Sequence, residues 1–119
     1  MNRMRHIFMG TGATLLLGVS AAAIAHHGWT GYDEQIQKLS GTIEESSYVS
    51  PHGSIRLTDS GKTWLVVLAP PSRMSLRGVS GSDLKAGMAA TVEGFAKRDD
   101  AGEMRAERLT LDGKVYELR

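Results

Sequence analysis

The stretch PPSRMSLRGVSGSDLKAG, residues 70–87, decides the fold, because it interrupts a chain that otherwise has the pattern of short β-strands. Pro71 suits the first turn of a helix, and Met74, Leu76 and Arg77 continue that helix for two turns at most. The stretch therefore predicts one short helical connection between two groups of strands.

The residues before this connection predict three strands. IQKLSGTIEESSYVS, residues 36–50, alternates in the manner of a strand, and Gly41 within it indicates a bulge or a sharp bend. Pro51 and Gly53 form a turn in which Gly53 permits a positive φ. SIRLTD and TWLVVLA follow as the second and third strands, joined by the hairpin turn DSGK.

The residues after the connection predict two or three further strands. They lie in MAATVEGFAKR, EMRAERLTL and KVYELR, with turns at DDAG and at DG, residues 112–113. A single helix between the third and fourth strands is the arrangement of an OB-fold. The fold class predicted is mainly all-β, a small antiparallel OB-like barrel of five to six strands, with a β-sandwich as the alternative.

The first 25 residues are expected to form a cleaved secretory signal peptide. Arg3 and Arg5 precede an apolar stretch, and Ala23 and Ala25 are the small residues that a signal peptidase accepts. The strictly apolar core is far shorter than the ~20 residues of a membrane-spanning helix. We therefore expect a periplasmic or secreted protein, cleaved after Ala25 and without stable membrane insertion; a retained anchor is the alternative.

Cleavage would divide the chain into a signal peptide at 1–25, an extended lead-in at 26–35 and a barrel domain at 36–119. Removing 25 of 119 residues leaves 94, enough for one small domain. Two of the 14 basic side chains lie in the signal, so the mature part has 12 Lys and Arg against 13 Asp and Glu. This balance argues against nucleic-acid binding, which needs a clustered basic face.

The motif AHHGW, residues 25–29, would place His26 at the mature N-terminus. An N-terminal histidine offers its α-amine and its Nδ1 to one metal, and a second imidazole completes the three-nitrogen set called a histidine brace. Such nitrogen ligands suit Cu(II). His52 and the neighbouring His27 are the two candidates for the second imidazole. To bring His26 near His52, the lead-in must fold back alongside the first strand.

The histidines, Trp64 and the methionines can each be explained without a bound ligand. His26 and His27 can be a flank without function, and His52 a polar residue of the first hairpin turn. Trp64 is expected to fill the core or one end of the barrel, with a stacking platform as the alternative. Three methionines are expected to fill gaps in the core, although thioethers can also bind Cu(I): Met74, Met88 and Met104.

Enzyme signatures are weak. The sequence contains no nucleophile elbow, HExxH motif or phosphate-binding loop. Glu44 and Glu45 are expected to face opposite sides of a strand, which excludes them as a catalytic pair. We predict that the protein is not an enzyme; the alternative is a copper-dependent oxidase or oxygenase.

Nearly all of the predicted mature chain resembles a family of small exported bacterial proteins classed as a domain of unknown function. The resemblance rests on the order and spacing of AHHGW, SGTIEESSYVSPHGSIRL, KTWLVVLAPPSRMSLRG, DLKAGMAATVEG and AERLTLDGK. Ser50 stands where the family usually has Asn before Pro-His, and Ala86 replaces a Pro. The resemblance implies an OB-like periplasmic domain without an established activity.

Two functions are therefore predicted. The first is an exported binding module that binds copper through His26 with His27 or His52. The second is a metal-free module that binds an envelope protein or peptide through the barrel face, in a solvent-exposed apolar or aromatic groove between the first hairpin and the helical connection.

Overall fold

A computed structural model describes residues 29–119. Three strands precede a short helix α1, Pro71–Leu76, and three strands follow it, with one 3₁₀ turn at Gly81–Asp83. The strands are β1 (Tyr32–Ser47), β2 (Ser54–Asp59), β3 (Lys62–Val67), β4 (Ala89–Lys97), β5 (Asp100–Leu111) and β6 (Lys114–Glu117). The predicted order of strands and helix is confirmed, and Pro71 lies in the first turn of the helix as expected.

The sheet closes into a five-stranded barrel, and β6 is an additional strand. Antiparallel pairs give the order β3-β2-β1-β4-β5-β6, and a parallel pairing of β3 with β5 closes the barrel. In that pairing Leu65, Val66 and Val67 lie opposite Glu103, Met104 and Arg105. The predicted OB-like barrel is therefore confirmed.

The first strand begins earlier than the sequence pattern indicates. Tyr32 already pairs with Lys97 of β4, so residues 32–35 of the expected lead-in belong to β1. The register shifts between Tyr32 and Ile36, which explains why strict alternation is absent there. The first strand also ends at Ser47, before the turn that contains Pro51.

Two hairpins turn through residues with positive φ. Ser60 and Gly61 have φ values of 52° and 80°, and Asp112 and Gly113 have 48° and 76°. Two successive residues with positive φ match the twist of the flanking strands, and Asp-Gly suits them well. The turns predicted at DSGK and DG are therefore confirmed.

The inner face of the barrel holds one apolar core. Met74 of α1 and Met104 of β5 are completely buried in it, and Met88 and Trp64 pack against it while partly exposed. Met74 and Met104 thus fill the core, as predicted, while Met88 and Trp64 line it from partly exposed positions. The ammonium of Lys62 lies 3.8 Å from the centre of the Trp64 ring. The other fully buried large side chains are Ile43, Ile55, Leu57, Val66, Leu68, Val79, Leu84, Val92 and Leu109.

A β-bulge in β1 places two neighbouring glutamates on one face. The register of β1 against β2 shifts between Ile43 and Glu45. Glu44 accepts a hydrogen bond from the Thr58 hydroxyl at 2.6 Å, and Glu45 pairs with Arg56 at 2.9 Å. Since Arg56 and Thr58 share one face of β2, the expectation that Glu44 and Glu45 face opposite sides was wrong.

Gly41 of β1 lies against the backbone of β2. A Cβ at this position would overlap the Thr58 carbonyl oxygen and lie 2.7 Å from its carbon. The bend that Gly41 indicates in the sequence is thus a close backbone approach, while the bulge itself lies at residues 43–45.

Gly41→Ala is expected to lower the free energy of unfolding by about 2–3 kcal/mol, because the β2 backbone must move to accommodate the methyl group. Gly102→Ala is the matched control, since a Cβ there meets only the Asp100 carboxylate, at an ordinary 3.5 Å. Urea unfolding of both variants measures the difference. Equal unfolding midpoints would contradict the proposed close approach.

Candidate functional site

The loop between β1 and β2 is fixed to the segment around α1. The Tyr48 hydroxyl shares its single hydrogen between two carbonyl oxygens, that of Val79 at 2.7 Å and that of Pro71 at 3.1 Å. The amide of Gly53 donates to the carbonyl of Ala69 at 2.9 Å, and the Gly53 carbonyl accepts from Leu68 at 2.8 Å. His52, immediately before Gly53, therefore occupies a defined position at one end of the barrel.

Gly53 has a different role from the one predicted. The glycines with positive φ are elsewhere in the described chain, so Gly53 does not use this freedom. It is buried, and a Cβ would meet the carbonyl oxygens of Ala69 and Ser47 at 3.5 Å. These are ordinary contact distances, so neither a positive φ nor close packing requires a glycine at this position.

Closure of the barrel brings Arg105 to His52. Arg105 lies opposite Val67 in the parallel pairing of β3 with β5, and Val67 in turn lies opposite Ser54 at the start of β2. The guanidinium Nη2 of Arg105 is 3.5 Å from Nε2 of His52. Because a guanidinium has donors only, this contact favours the tautomer in which Nε2 of His52 accepts.

Trp29 covers the outer face of the barrel beside this contact. Its ring meets the Phe95 ring edge-to-face, with the ring centroids 5.6 Å apart. The Arg105 guanidinium carbon lies 4.3 Å from the centre of the Trp29 ring, and that of Arg119 lies 5.2 Å from it. Phe95 is only 7% exposed, although its register partner Arg105 lies on the outer face.

The backbone before β1 holds Trp29 in this position. Tyr32 donates its amide hydrogen to the carbonyl of Trp29 at 3.1 Å, and Gly31 adopts a φ of +89° within this turn. The amide of Arg98 donates to the Gly31 carbonyl at 2.9 Å. The chain at Trp29 thus lies over Phe95 of β4 and Arg105 of β5.

Acidic side chains near Trp29 are engaged with other donors. The Tyr32 hydroxyl donates to Glu103 at 2.6 Å, and Lys97 lies 3.6 Å from the same carboxylate oxygen. Burial and this acceptor raise the pKa of Tyr32. Glu107 forms an ion pair with Arg119 at 3.1 Å.

Burial and two nearby arginines both disfavour the charged form of His52. Burial lowers the pKa of His52, and the charges of Arg105 and Arg73 lower it further. Burial also lowers the pKa of Arg105, and Arg73 and Arg119 lower it as well, against an opposing effect of Tyr32. His52 is therefore neutral near pH 7, and its imidazole is in the form that can bind a metal.

Only one of the three predicted metal ligands can be located. His26 and His27 lie outside the described residues, whereas His52 lies beside Arg105. Within residues 29–119 no group of three or more His, Cys, Asp or Glu side chains is arranged to hold a metal ion.

Sequence reasoning missed the role of Trp29, Arg73 and Arg105. The alternation of Met104, Arg105 and Ala106 indicates that Arg105 faces outward, but nothing in the sequence indicates which loop it meets. The near-neutral composition also gives no sign that three arginines gather at one end of the barrel.

The fold and this end of the barrel define a class: a small OB-like barrel domain with an aromatic and cationic cluster beside the β1–β2 loop, one of the loops that carry ligands in other OB-folds. Residues 13–106 match the model of a family described as a family of unknown function, DUF6152. Because this match spans most of the sequence, the chain belongs to that family. Comparison with curated proteins found no match.

In the part of the chain that the structure covers, residues 29–119, no helix has the length and apolar character needed to cross a membrane.

We predict that Arg73→Gln raises the pKa of His52, because it removes a positive charge that disfavours the imidazolium. NMR titration of the His52 ring measures this pKa. Arg56→Gln is the matched control, since Arg56 lies on β2 and forms its ion pair with Glu45 of β1. An unchanged His52 titration in Arg73→Gln would contradict the electrostatic coupling.

The lowered pKa of His52 also makes the free energy of unfolding depend on pH. Since the pKa of His52 is lower in the folded state than its ordinary value of 6.5, the unfolded chain binds more protons below that pH. The contribution of His52 to stability is therefore present above about pH 6.5 and is lost as the pH falls toward the folded-state pKa. His52→Ala should flatten this part of the curve of unfolding free energy against pH.

Proposed function

We propose that the protein is an exported, non-enzymatic binding module, cleaved after Ala25, that binds copper through His26 with His27 or His52. The observation that carries the proposal is the position of Trp29. Its ring and His52 contact the same guanidinium, that of Arg105, at 4.3 Å and 3.5 Å. Trp29 therefore lies at the same end of the barrel as His52, which is the candidate ligand furthest from it in sequence.

The separation of His26 from Trp29 along the chain limits how far His26 can lie from this end of the barrel. His26 precedes Trp29 by three residues, which span at most about 10 Å when extended. The N-terminal amine and Nδ1 of His26 would form one chelate ring, and Nε2 of His52 or the ring of His27 would supply the third nitrogen. Three nitrogen ligands suit Cu(II).

Arg105 sets a condition on the use of His52. Its guanidinium occupies the approach to Nε2 and is a donor only, so it must move aside before a metal can bind at that atom. The alternative pair of His26 with His27 has no such requirement. Changes at Arg105 should therefore alter copper binding through His26 and His52 but not copper binding through His26 and His27.

The intact mass of the exported protein should correspond to a chain that begins at His26. A chain that begins elsewhere lacks the amine of His26 as a ligand, and the brace arrangement would be rejected.

We expect Cu(II) titration of the chain from His26 to give strong binding that His26→Ala weakens by more than about tenfold. His52→Ala and His27→Ala then identify the second imidazole, because only the variant that lacks it loses affinity. Arg56→Gln is the control for a remote change of charge. Equal affinity in all these variants would exclude the copper function.

A metal-free interaction module is the second candidate, favoured by two exposed apolar side chains. Val49 in the β1–β2 loop and Leu76 at the end of α1 are 61% and 87% exposed. Tyr48 joins the segments that carry them through its hydrogen bonds to Pro71 and Val79. These side chains lie on the first hairpin loop and the helical connection, where the sequence predicted an apolar binding groove.

The two candidates give opposite results with the same variants. An interaction module should retain an envelope partner in pull-downs when every histidine is replaced by alanine, and lose it in Leu76→Asp. Val115→Asp is a matched control, because Val115 is also exposed, at 54%, but lies on β6. Loss of the partner in the histidine variants would contradict this second candidate.

A further inference from the structure

We propose that the first half of β1 docks a second copy of this chain, so that two barrels join through antiparallel β1 strands with Ile36 at the twofold axis. The inference goes beyond the proposed function and does not depend on copper. Three observations carry it: an unpaired sheet edge, an exposed isoleucine on that edge, and an order of side chains that is complementary to itself.

The two halves of β1 pair with different strands. β4 pairs with β1 from Tyr32 to Thr42, whereas β2 pairs with it only from Thr42 to Ser47. β1 has 16 residues and β2 has six, so β2 ends before it reaches the first half of β1. Within residues 29–119, no strand pairs with the side of residues 33–41 that faces away from β4. We call this side the β1 edge.

Alternation along the strand identifies the backbone groups that face the β1 edge. The amide and the carbonyl of Ile43 both bond to residues 87–88, just before β4, at 2.9 and 2.7 Å. Successive residues of a strand direct these groups to opposite sides, and the register with β4 is continuous from Ile36 to Thr42. The amides and carbonyls of Ile36 and Lys38 are therefore directed to the β1 edge, where another strand can bond to them.

Ile36 is an exposed apolar side chain in the middle of this edge. It is 53% exposed, although Phe95, its register partner on β4, is 7% exposed. Natural proteins usually protect such an edge with a charge or a covering element, since it invites pairing with another chain. A second β1 strand would bury Ile36 and bond to the backbone groups beside it.

The sequence of the β1 edge is complementary to itself. With a twofold axis at Ile36, the two copies of Ile36 face each other, and Glu34 of each copy faces Lys38 of the other. Gln35 faces Gln37, and their amides can bond to each other. Opposite charges at facing positions stabilise a strand pair. An axis at Gln35 or Gln37 would instead set Ile36 against a charged side chain, so the order of residues selects the axis at Ile36.

The contacts that Glu34 makes within one chain are weak enough to be exchanged. Its carboxylate lies 4.0 Å from Arg98, and both side chains are more than half exposed, so this ion pair adds little stability. Its amide donates to the neighbouring Asp33 carboxylate at 2.8 Å, a local bond on the surface. Pairing with Lys38 of a second copy can replace both contacts.

Sedimentation velocity of the chain from His26 over a concentration series tests the dimer. A chelator is present, so that copper cannot bridge two chains. Because one strand pair buries less surface than a standard interface, we expect half-dissociation between about 10 μM and 1 mM. A chain that stays monomeric up to about 1 mM would overturn the proposal, including the case in which another segment of the chain covers the edge.

Ile36→Asp should weaken dimerisation by at least about tenfold, because two carboxylates would face each other at the axis. Val115→Asp is the matched control, since Val115 is equally exposed, at 54%, on the outermost strand β6. An axis at Val115 would oppose Lys114 to Tyr116, without paired opposite charges. Dimerisation that survives Ile36→Asp, or that Val115→Asp abolishes, would contradict the β1 edge as the interface.

Charge reversal tests the register. Glu34→Lys and Lys38→Glu should each weaken self-association by about threefold to tenfold, because like charges then face each other on both sides of the axis. An equimolar mixture of the two variants should dimerise again, since every facing pair in the mixed dimer has opposite charges. Restored association in the mixture also shows that both variants are folded. A mixture that associates no better than its components would reject the proposed pairing.

Discussion

The parallel pairing of β3 with β5 is the contact on which the rest of the structure depends. It closes the barrel around the core that Met104 and Val66 share, and these two residues lie opposite each other in the pairing. The same register places Arg105 opposite Val67, beside the loop that carries His52. Closure of the core and assembly of the candidate site are thus consequences of one strand pairing.

A second packing interaction lies outside the barrel. Trp29 covers Phe95 on the outer face and holds the guanidinium of Arg105 against its ring. An aromatic side chain with a cation on its face gains both apolar burial and electrostatic attraction. This interaction holds Trp29 on the outer face of the barrel, against the guanidinium that also contacts His52.

Local chemistry explains why much of the fold can be predicted from sequence. Pro71 marks the helix start, Asp112-Gly113 marks a tight hairpin, and Ser54–Asp59 alternates between buried and exposed side chains as expected. Exceptions occur where tertiary contacts override alternation. The bulge at residues 43–45 turns both Glu44 and Glu45 outward. The register shift after Tyr32 disrupts the alternation that would otherwise have indicated the start of β1.

The candidate site was less predictable, because its parts come together only when the barrel closes. His52 is visible in the sequence as a histidine in a turn, but its partners Arg105 and Arg73 lie 53 and 21 positions further along the chain. No periodicity connects residues on β1–β2, α1 and β5. Trp29 was assigned to an irregular lead-in, since its partner Phe95 is likewise remote in sequence.

The most direct test of this account is the position of Trp29 in the chain that begins at His26. Nuclear Overhauser effects should connect the indole protons of Trp29 with the ring of Phe95 and with the side-chain methylenes of Arg105, because the two ring centroids are 5.6 Å apart and the guanidinium lies 4.3 Å from the indole. Trp64, which packs against the core, provides an internal reference in the same spectrum. Absence of these effects, with random-coil chemical shifts for Trp29, would contradict the claim that Trp29 packs against Phe95 and Arg105 on the outer face of the barrel.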